Sequence, residues 1–278
     1  MSLGRPTALI TGASRGIGRE IARSLAASGY DLVVASRSAA ELETLARELR
    51  REGVEATAIA ADLTDAASIT ALARSAEAAL GHVDVLVNNA GGDPQREFDE
   101  MSWNENETIV RLNVLGPMQL THLLLPGMLR AGKGHVINIS SIAGRVGFPY
   151  TEAYAAAKDG LIGFSRVLRN DYRARGISAS AIVLGAIRGA GQGQRTSDEL
   201  GLTMPRFGTS PASAVAAAVM TAIRKDRAEI VVLPGPGRLL KALMDLFPGF
   251  GAAMNRMAGA DVTMRRVIEA RRSAKVIA

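Results

Sequence analysis

Hydrophobic positions along this chain follow two alternating periods. Short apolar runs at residues 7–10, 31–35 (DLVVA), 56–61, 83–87, 135–139 (HVINI), 177–184 and 229–233 read as strands. Between them, apolar residues recur at helical spacing. Ile17, Ile21, Ala22 and Leu25 share one side of a first helix, and further helices are predicted over 39–51, 66–80, 103–130, from Tyr154 to Arg175, and over 212–224. Strands that alternate with helices of this length form βαβ units, so the expectation is an α/β fold with a doubly wound parallel sheet of about seven strands. The 103–130 helix carries Asn113 among apolar neighbours and is expected to break near Gly116-Pro117.

Polar and glycine positions cluster where the strands end. The first strand runs into Thr11-Gly12-Ala13-Ser14-Arg15-Gly16-Ile17-Gly18 and then a helix. Glycines at such a turn let backbone approach a pyrophosphate held against free helix N–H groups, although any tight strand-to-helix turn also needs glycine. The second strand ends in Ser36-Arg37. An acid at that point would suit the ribose hydroxyl of NAD, whereas an arginine accommodates the 2′-phosphate of NADP. Arg15 can reach the same phosphate, so the pair points to NADP, against a reading as solvated surface arginines. Asp62 follows the third strand as a ligand contact, within an Asp-Leu-Thr-Asp run that also makes an ordinary helix cap, and Asn88-Asn89-Ala90-Gly91-Gly92 follows the fourth as cofactor wall or plain turn.

Beyond the 135–139 strand come Ser140, Ser141, Tyr154 and Lys158. Residues four apart share a helix face, so a phenol and an ammonium stand side by side, and a nearby positive charge is expected to draw the Tyr154 pKa down toward working pH. Almost all of the 33 basic residues are arginine. A lysine here goes against that preference, and an ammonium can pass protons where a guanidinium cannot. The bland alternative is an exposed helical Tyr and Lys.

Composition narrows the picture. A 278-residue chain that is 47% hydrophobic can fill one large core. No uninterrupted apolar run is long enough to span a membrane and no secretion signal is evident, so a cytoplasmic location is expected. With no cysteine there are no disulfides or thiolate sites, and His82, His122 and His135 have no ligand spacing, so no catalytic metal is expected. A net charge of +6 favours acidic partners. Aromatics are only 4%, which argues against a nucleic-acid platform.

Five motifs in register carry a resemblance: TGASRGIG at 11–18, NNAG at 88–91, the helical Asn113, Ser141, and YAAAK at 154–158. Over about residues 5–233 the chain resembles the short-chain dehydrogenase/reductase family. The resemblance implies a Rossmann-like fold and an NADP(H)-dependent oxidoreductase that interconverts a carbonyl and a secondary alcohol. It makes Tyr154 the acid or base, Lys158 the holder of the nicotinamide ribose that lowers the tyrosine pKa, Ser141 the partner of the substrate oxygen, and Asn113 the anchor of a proton-relaying water. Gly12, Ser14, Gly16, Ile17 and Gly18 would line the pyrophosphate and Arg15 and Arg37 the 2′-phosphate. Asp62 and Leu63 would meet the adenine end, Asn88, Ala90 and Gly91 the adenosine and ribose, and Gly185 and Ile187 the nicotinamide. A homodimer or homotetramer is implied as well.

Two departures stand out. Leu184 replaces the family's proline after the sixth strand, and Gly189 replaces a threonine that holds the carboxamide, at a cost of ~1 kcal/mol if nothing substitutes. A segment rich in Gly and Gln, 189–207, suits a mobile lid or a surface loop. Residues 1–233 are therefore expected to form the dinucleotide-binding domain and 234–278 an amphipathic helical extension. In that extension Leu239, Leu240, Leu243, Leu246, Phe247, Phe250, Met254 and Met257 precede a basic end with Arg265, Arg266, Arg271, Arg272 and Lys275. It would pack on its own protein or a second subunit, cover an apolar substrate pocket, or touch a membrane surface. The substrate is expected to be a small carbonyl or alcohol, either a β-ketoacyl thioester or a lipophilic ketone. The alternative is a nucleotide-binding sensor or scaffold with little catalytic activity.

Overall fold

The structure, a computed structural model, describes residues 4–199, 201, 208–257 and 259–277. The side chain of Lys275, with residues 200 and 202–207 of the expected lid, lies outside the described residues.

The chain begins β1 (Thr7–Thr11), α1 (Gly16–Ala26), β2 (Asp31–Ser36), α2 (Ala39–Arg51), β3 (Ala56–Ala60), α3 (Ala66–Leu80) and β4 (Val85–Asn88). It continues α4 (Trp103–Val110), α5 (Gly116–Ala131), β5 (Gly134–Ser141), α6 (Ala143–Val146), α7 (Glu152–Tyr172) and β6 (Ile177–Leu184). A short pair, β7 (Ile187–Arg188) and β8 (Ser210–Pro211), brackets α8 (Gly191–Glu199), and α9 (Ala212–Lys225) leads to β9 (Glu229–Val232). Seven strands form one sheet in the order β3-β2-β1-β4-β5-β6-β9, and every pairing is parallel. Parallel strands joined by helices must be covered on both faces, and strand alternation supplies both covers. Ala8 and Ile10 of β1 join Ile21, Leu25, Leu45 and Val219 from α1, α2 and α9, while Leu9 joins Leu72, Leu120 and Leu124 from α3 and α5. This is the doubly wound, Rossmann-like architecture expected.

Several boundaries differ from expectation. Strand β4 starts at Val85 rather than Val83 because the Asp84 carboxylate, not a ladder carbonyl, takes the Thr7 amide at 2.9 Å. The 103–130 helix is interrupted as expected just before Gly116-Pro117, without breaking. It widens one turn earlier into a π-turn, Arg111–Leu115, and α5 begins with Pro117 in its first turn, where the ring supplies no N–H to the turn before it. The 189–207 segment, expected as a loop, contains α8.

Three helices follow β9: α10 (Gly237–Leu246), α11 (Pro248–Met257) and α12 (Ala260–Ile277). Helix α10 lies along β9, and α11 and α12 reach the segments that follow β5 and β4. Lys241 of α10 pairs with Glu229 at 3.0 Å and with Asp245 at 2.7 Å. Asn255 of α11 donates to the Val146 carbonyl at 2.9 Å, and Gly251 sits so close to α6 that a Cβ there would lie 2.7 Å from Val146 Cα. Helix α12 buries Val267 and Ile268 and reaches the segment after β4, where Arg272 pairs with Glu97 at 3.0 Å and with Glu100. Among the described residues no helix is long and apolar enough to cross a membrane.

Candidate active site

Because all seven strands are parallel, their carboxyl ends open on one edge. A cleft of about 780 Å³ lies there.

Its first wall is the glycine turn. Gly12 and Gly16 hold φ of 65° and 57°, values that disfavour a side chain. Gly18 permits the closest approach, since a Cβ there would stand 2.2 Å from the Gly12 carbonyl. Helix α1 has no side-chain cap on its first N–H groups, so its N-terminus faces the cleft with donors free for an anion. Ser14, Arg15 and Ile17 line the same wall, with Arg37 beyond β2. Among the described residues, neither the Arg15 nor the Arg37 guanidinium has a hydrogen-bond or ion-pair partner. Two unengaged guanidiniums beside an uncapped helix N-terminus fit a dinucleotide that carries an additional phosphate. Asp62 and Leu63 line the cleft next to them. In the Asp-Leu-Thr-Asp run it is Asp65 that caps the helix, toward Ala67 and Ser68, which leaves Asp62 at the cleft. Its carboxylate accepts from the Thr64 amide at 2.9 Å and hydroxyl at 2.8 Å, and the amide bond is the main cause holding its pKa below the ordinary value.

On the far side, Ala90, Gly91, Gly185 and Ile187 line the cleft. Asn88 does not. It is the last residue of β4 and alternation turns it inward, where its amide donates to Asn138 at 2.8 Å and Thr121 at 3.3 Å. The expectation that Asn88 lies along the adenosine is corrected: Asn89 is the amide at the cleft wall, donating to the carbonyls of Thr11 and Gly12 at 3.0 and 3.1 Å. Gly189 has φ of 73°, a conformation a threonine avoids, and its N–H donates to Gln194 at 2.7 Å.

The third group lies where β5 and α7 meet. Ser140 is buried and donates to the Lys158 carbonyl at 2.7 Å, whereas Ser141 lines the cleft within hydrogen-bonding reach of the Tyr154 phenol. Lys158 is 4% exposed, donates to the Ile139 carbonyl at 2.9 Å and lies 5.6 Å from the Tyr154 ring centre. Burial lowers the Lys158 pKa to about 8. The expected downward pull on Tyr154 is not what prevails. Burial pushes the phenol up to about 12, opposed by the Ser141 hydrogen bond, raised further by Asp93 and lowered by Arg195. Removing a phenolate from water costs more than the surrounding dipoles and charges return.

Asn113 stands behind this group in the π-turn and does not line the cleft. It is fully buried, donates to the carbonyls of Gly92 and Ile109 at 2.7 and 2.8 Å, and accepts from the Gly92 amide at 3.1 Å. A Cβ on Gly91 would fall 2.6 Å from Asn113 Oδ1 and 3.0 Å from Lys158 Nζ, so the glycine lets both side chains converge.

A profile described as short chain dehydrogenase matches residues 6–200, well over half of the chain. The chain belongs to this family. It is 35% identical over 231 residues to the ketoacyl reductase HetN of a Nostoc species, covering 83% of this chain and 79% of that protein. Among solved structures, a metagenomic short-chain oxidoreductase in complex with NADP superposes with a TM-score of 0.71 at 31% identity, covering 84% of this chain and 98% of its own. An alcohol dehydrogenase from Thermococcus sibiricus complexed with 5-hydroxy-NADP has a TM-score of 0.73 at 28% identity, with 82% and 96% covered.

Membership in the short-chain dehydrogenase family explains the cleft, yet two of its charged walls escaped the sequence reading. Asp93 follows directly on the NNAGG strand end, a position whose only signal was an acid at a ligand-binding edge. Arg195 sits within the Gly/Gln-rich segment, whose composition pointed to a loop. Burial raises the Asp93 carboxyl to about 6; one oxygen accepts from the Gln95 amide at 3.2 Å and the other has no partner.

Proposed function

We propose that this chain binds NADP(H) and interconverts a carbonyl and a secondary alcohol, with Tyr154 as general acid in reduction and general base in oxidation. The observation that carries this reading is the convergence of Ser141, Tyr154 and Lys158 on one cleft with the glycine turn and the two unengaged arginines. When bound there, the nicotinamide supplies or accepts the hydride. Arg15 and Arg37 would hold the 2′-phosphate, and Gly12, Ser14, Gly16, Ile17 and Gly18 would face the pyrophosphate. Asp62, Leu63, Ala90, Gly91, Gly185 and Ile187 would frame the rest, while Asn88 supports that wall from within. Ser141 orients the substrate oxygen toward the Tyr154 hydroxyl, which delivers its proton there. Lys158, whose pKa burial lowers to about 8, can return a proton to the phenolate, and Asn113 fixes the Gly91-Gly92 backbone beside it.

The substrate class in this reading is a β-ketoacyl thioester, narrower than the ketoacyl group named for the Nostoc relative, or a lipophilic ketone. Residues 1–233 act as the catalytic domain and 234–278 as a wrap around its substrate side. A homo-oligomer belongs to the same reading, with exposed Leu115, Met118 and Val167 supplying apolar contact. The glycine turn at 189 favours a second reading, a nucleotide-binding sensor that lacks a hold on the carboxamide.

The test is fluorescence titration with NADPH and NADH beside Arg37→Ala and Tyr154→Phe, followed by NADPH oxidation with a carbonyl panel. Arg37→Ala is expected to lose most of the preference for NADPH, and Tyr154→Phe to bind the cofactor but lose turnover. Turnover retained in Tyr154→Phe would refute the acid assignment, and binding without any turnover would leave the sensor.

A further inference from the structure

A second cavity of about 610 Å³ adjoins the first and shares Asp93, Pro94, Gln192 and Arg195 with it. Four arginines line it, and three are already neutralised. Arg96 pairs with Glu105 at 2.7 Å, Arg271 with Glu199 at 2.7 Å, and Arg272 with Glu97 and Glu100. Arg195 is different. It is half-buried on α8, and among the described residues it has neither a hydrogen bond nor an ion pair.

The nearby acids do not satisfy it. Glu199, one turn further along α8, is held by Arg271, and Asp93 leaves one carboxylate oxygen without a partner rather than pairing with Arg195. The guanidinium reaches the reacting end of the cleft. Its Nη2 lies 4.0 Å from where a Gly92 Cβ would stand, and its charge is felt at the Tyr154 phenol. A half-desolvated guanidinium whose five donors are bonded to no acceptor among the described residues, although Asp93 and Glu199 line the same cavity, is an incomplete site, and the planar fork matches a carboxylate or phosphate.

We propose that Arg195 is a specificity-determining residue, selecting carbonyl substrates that carry an anionic group and holding that group at the junction of the two cavities. This rests on the carbonyl-reductase reading and narrows its substrate class. The anion enters from the second cavity while the carbonyl faces Tyr154, so the neutral ester of the same compound loses the contact and keeps the rest. The nearby positive charge of Arg15 offers another destination for the same guanidinium, the cofactor's own phosphates, and the test separates the two.

The test takes methyl-ketone acids, with the carbonyl next to the terminal methyl, from 3-oxobutanoate to 7-oxooctanoate, with their methyl esters. It measures kcat/KM with NADPH and, by titration calorimetry, binding of each acid to the NADPH complex, in the full chain and in Arg195→Gln and Arg195→Lys. The expected result is that at least one acid exceeds its ester about tenfold or more. Arg195→Gln abolishes that ratio and the calorimetric signal, and Arg195→Lys retains part of both. Esters favoured at every length, or an acid preference that survives Arg195→Gln, would overturn the assignment. So would a variant whose NADPH affinity falls as much as its acid affinity. Ester turnover without acid preference defeats this inference alone. Acid binding lost in Arg195→Gln, with no turnover of any compound, defeats the reductase reading alone, and neither binding nor turnover defeats both.

Discussion

Asp93→Asn isolates the cost of an under-solvated carboxylate at the cleft wall. Burial holds this carboxyl at about 6 against an ordinary 3.8. Each pH unit of difference corresponds to about 1.4 kcal/mol, so ionising Asp93 in the folded chain costs up to about 3 kcal/mol, and partial solvent access trims that to about 1–2 kcal/mol. The direction follows from linkage. Below 3.8 the group is neutral in folded and unfolded chains alike and there is no penalty. Between 3.8 and 6 the unfolded chain ionises first, and above 6 the fold bears the full cost. Asparagine keeps the acceptor for the Gln95 amide at 3.2 Å and removes the charge. Any price of burying its NH₂ does not titrate, so the quantity to read is how the stability difference changes with pH. Urea unfolding of both proteins from pH 4 to pH 8 is expected to show Asp93→Asn gaining about 1–2 kcal/mol relative to the parent as pH rises to about 6, then a plateau. A difference that stays flat, or moves the other way, would refute the argument. Removing the negative charge also lowers the Tyr154 pKa, since Asp93 raises it.

Two further substitutions test other parts of the scaffold. Gly18→Ala puts a methyl 2.2 Å from a backbone oxygen and 2.6 Å from Asn89 Nδ2, so the turn must shift; a loss of about 2–3 kcal/mol in thermal unfolding and weakened NADPH binding are expected, and an unchanged Tm would contradict the packing. Asp226 caps α9 at φ 47° and accepts from Arg169, whose guanidinium holds its carboxyl well below the usual carboxylate range. Asn tolerates that backbone, so Asp226→Asn removes mainly the charge; discounted for exposure, it should cost about 1–2 kcal/mol at pH 7, and the difference should vanish as pH falls well below 3.8.

Local pattern determined much of this protein. Segments such as DLVVA and HVINI mark strands covered by a helical layer on each side, because burial on both faces of a parallel strand leaves a short apolar run whatever the rest of the chain does. The glycine turn was legible for the same reason: Gly12, Gly16 and Gly18 answer to backbone geometry within a few residues, and Tyr154 and Lys158 to helical spacing. The family resemblance then put Asn113 and Ser141 beside them.

Tertiary structure decided what depends on distant partners. The inward turn of Asn88 follows from Asn138, fifty residues away, and the π-turn at Asn113 from the backbone of Gly92. The polarity of the Tyr154 site depended on how deeply α7 packs, so a charge-based expectation gave the wrong direction for the phenol. No periodicity could have placed Arg271 against Pro94, 177 residues earlier, or shown that Arg195 alone among four arginines lacks a counter-charge. Periodicity reports which face of an element is buried; pairing between elements is set only when the whole chain closes, and there the charges of this cleft find, or fail to find, their partners.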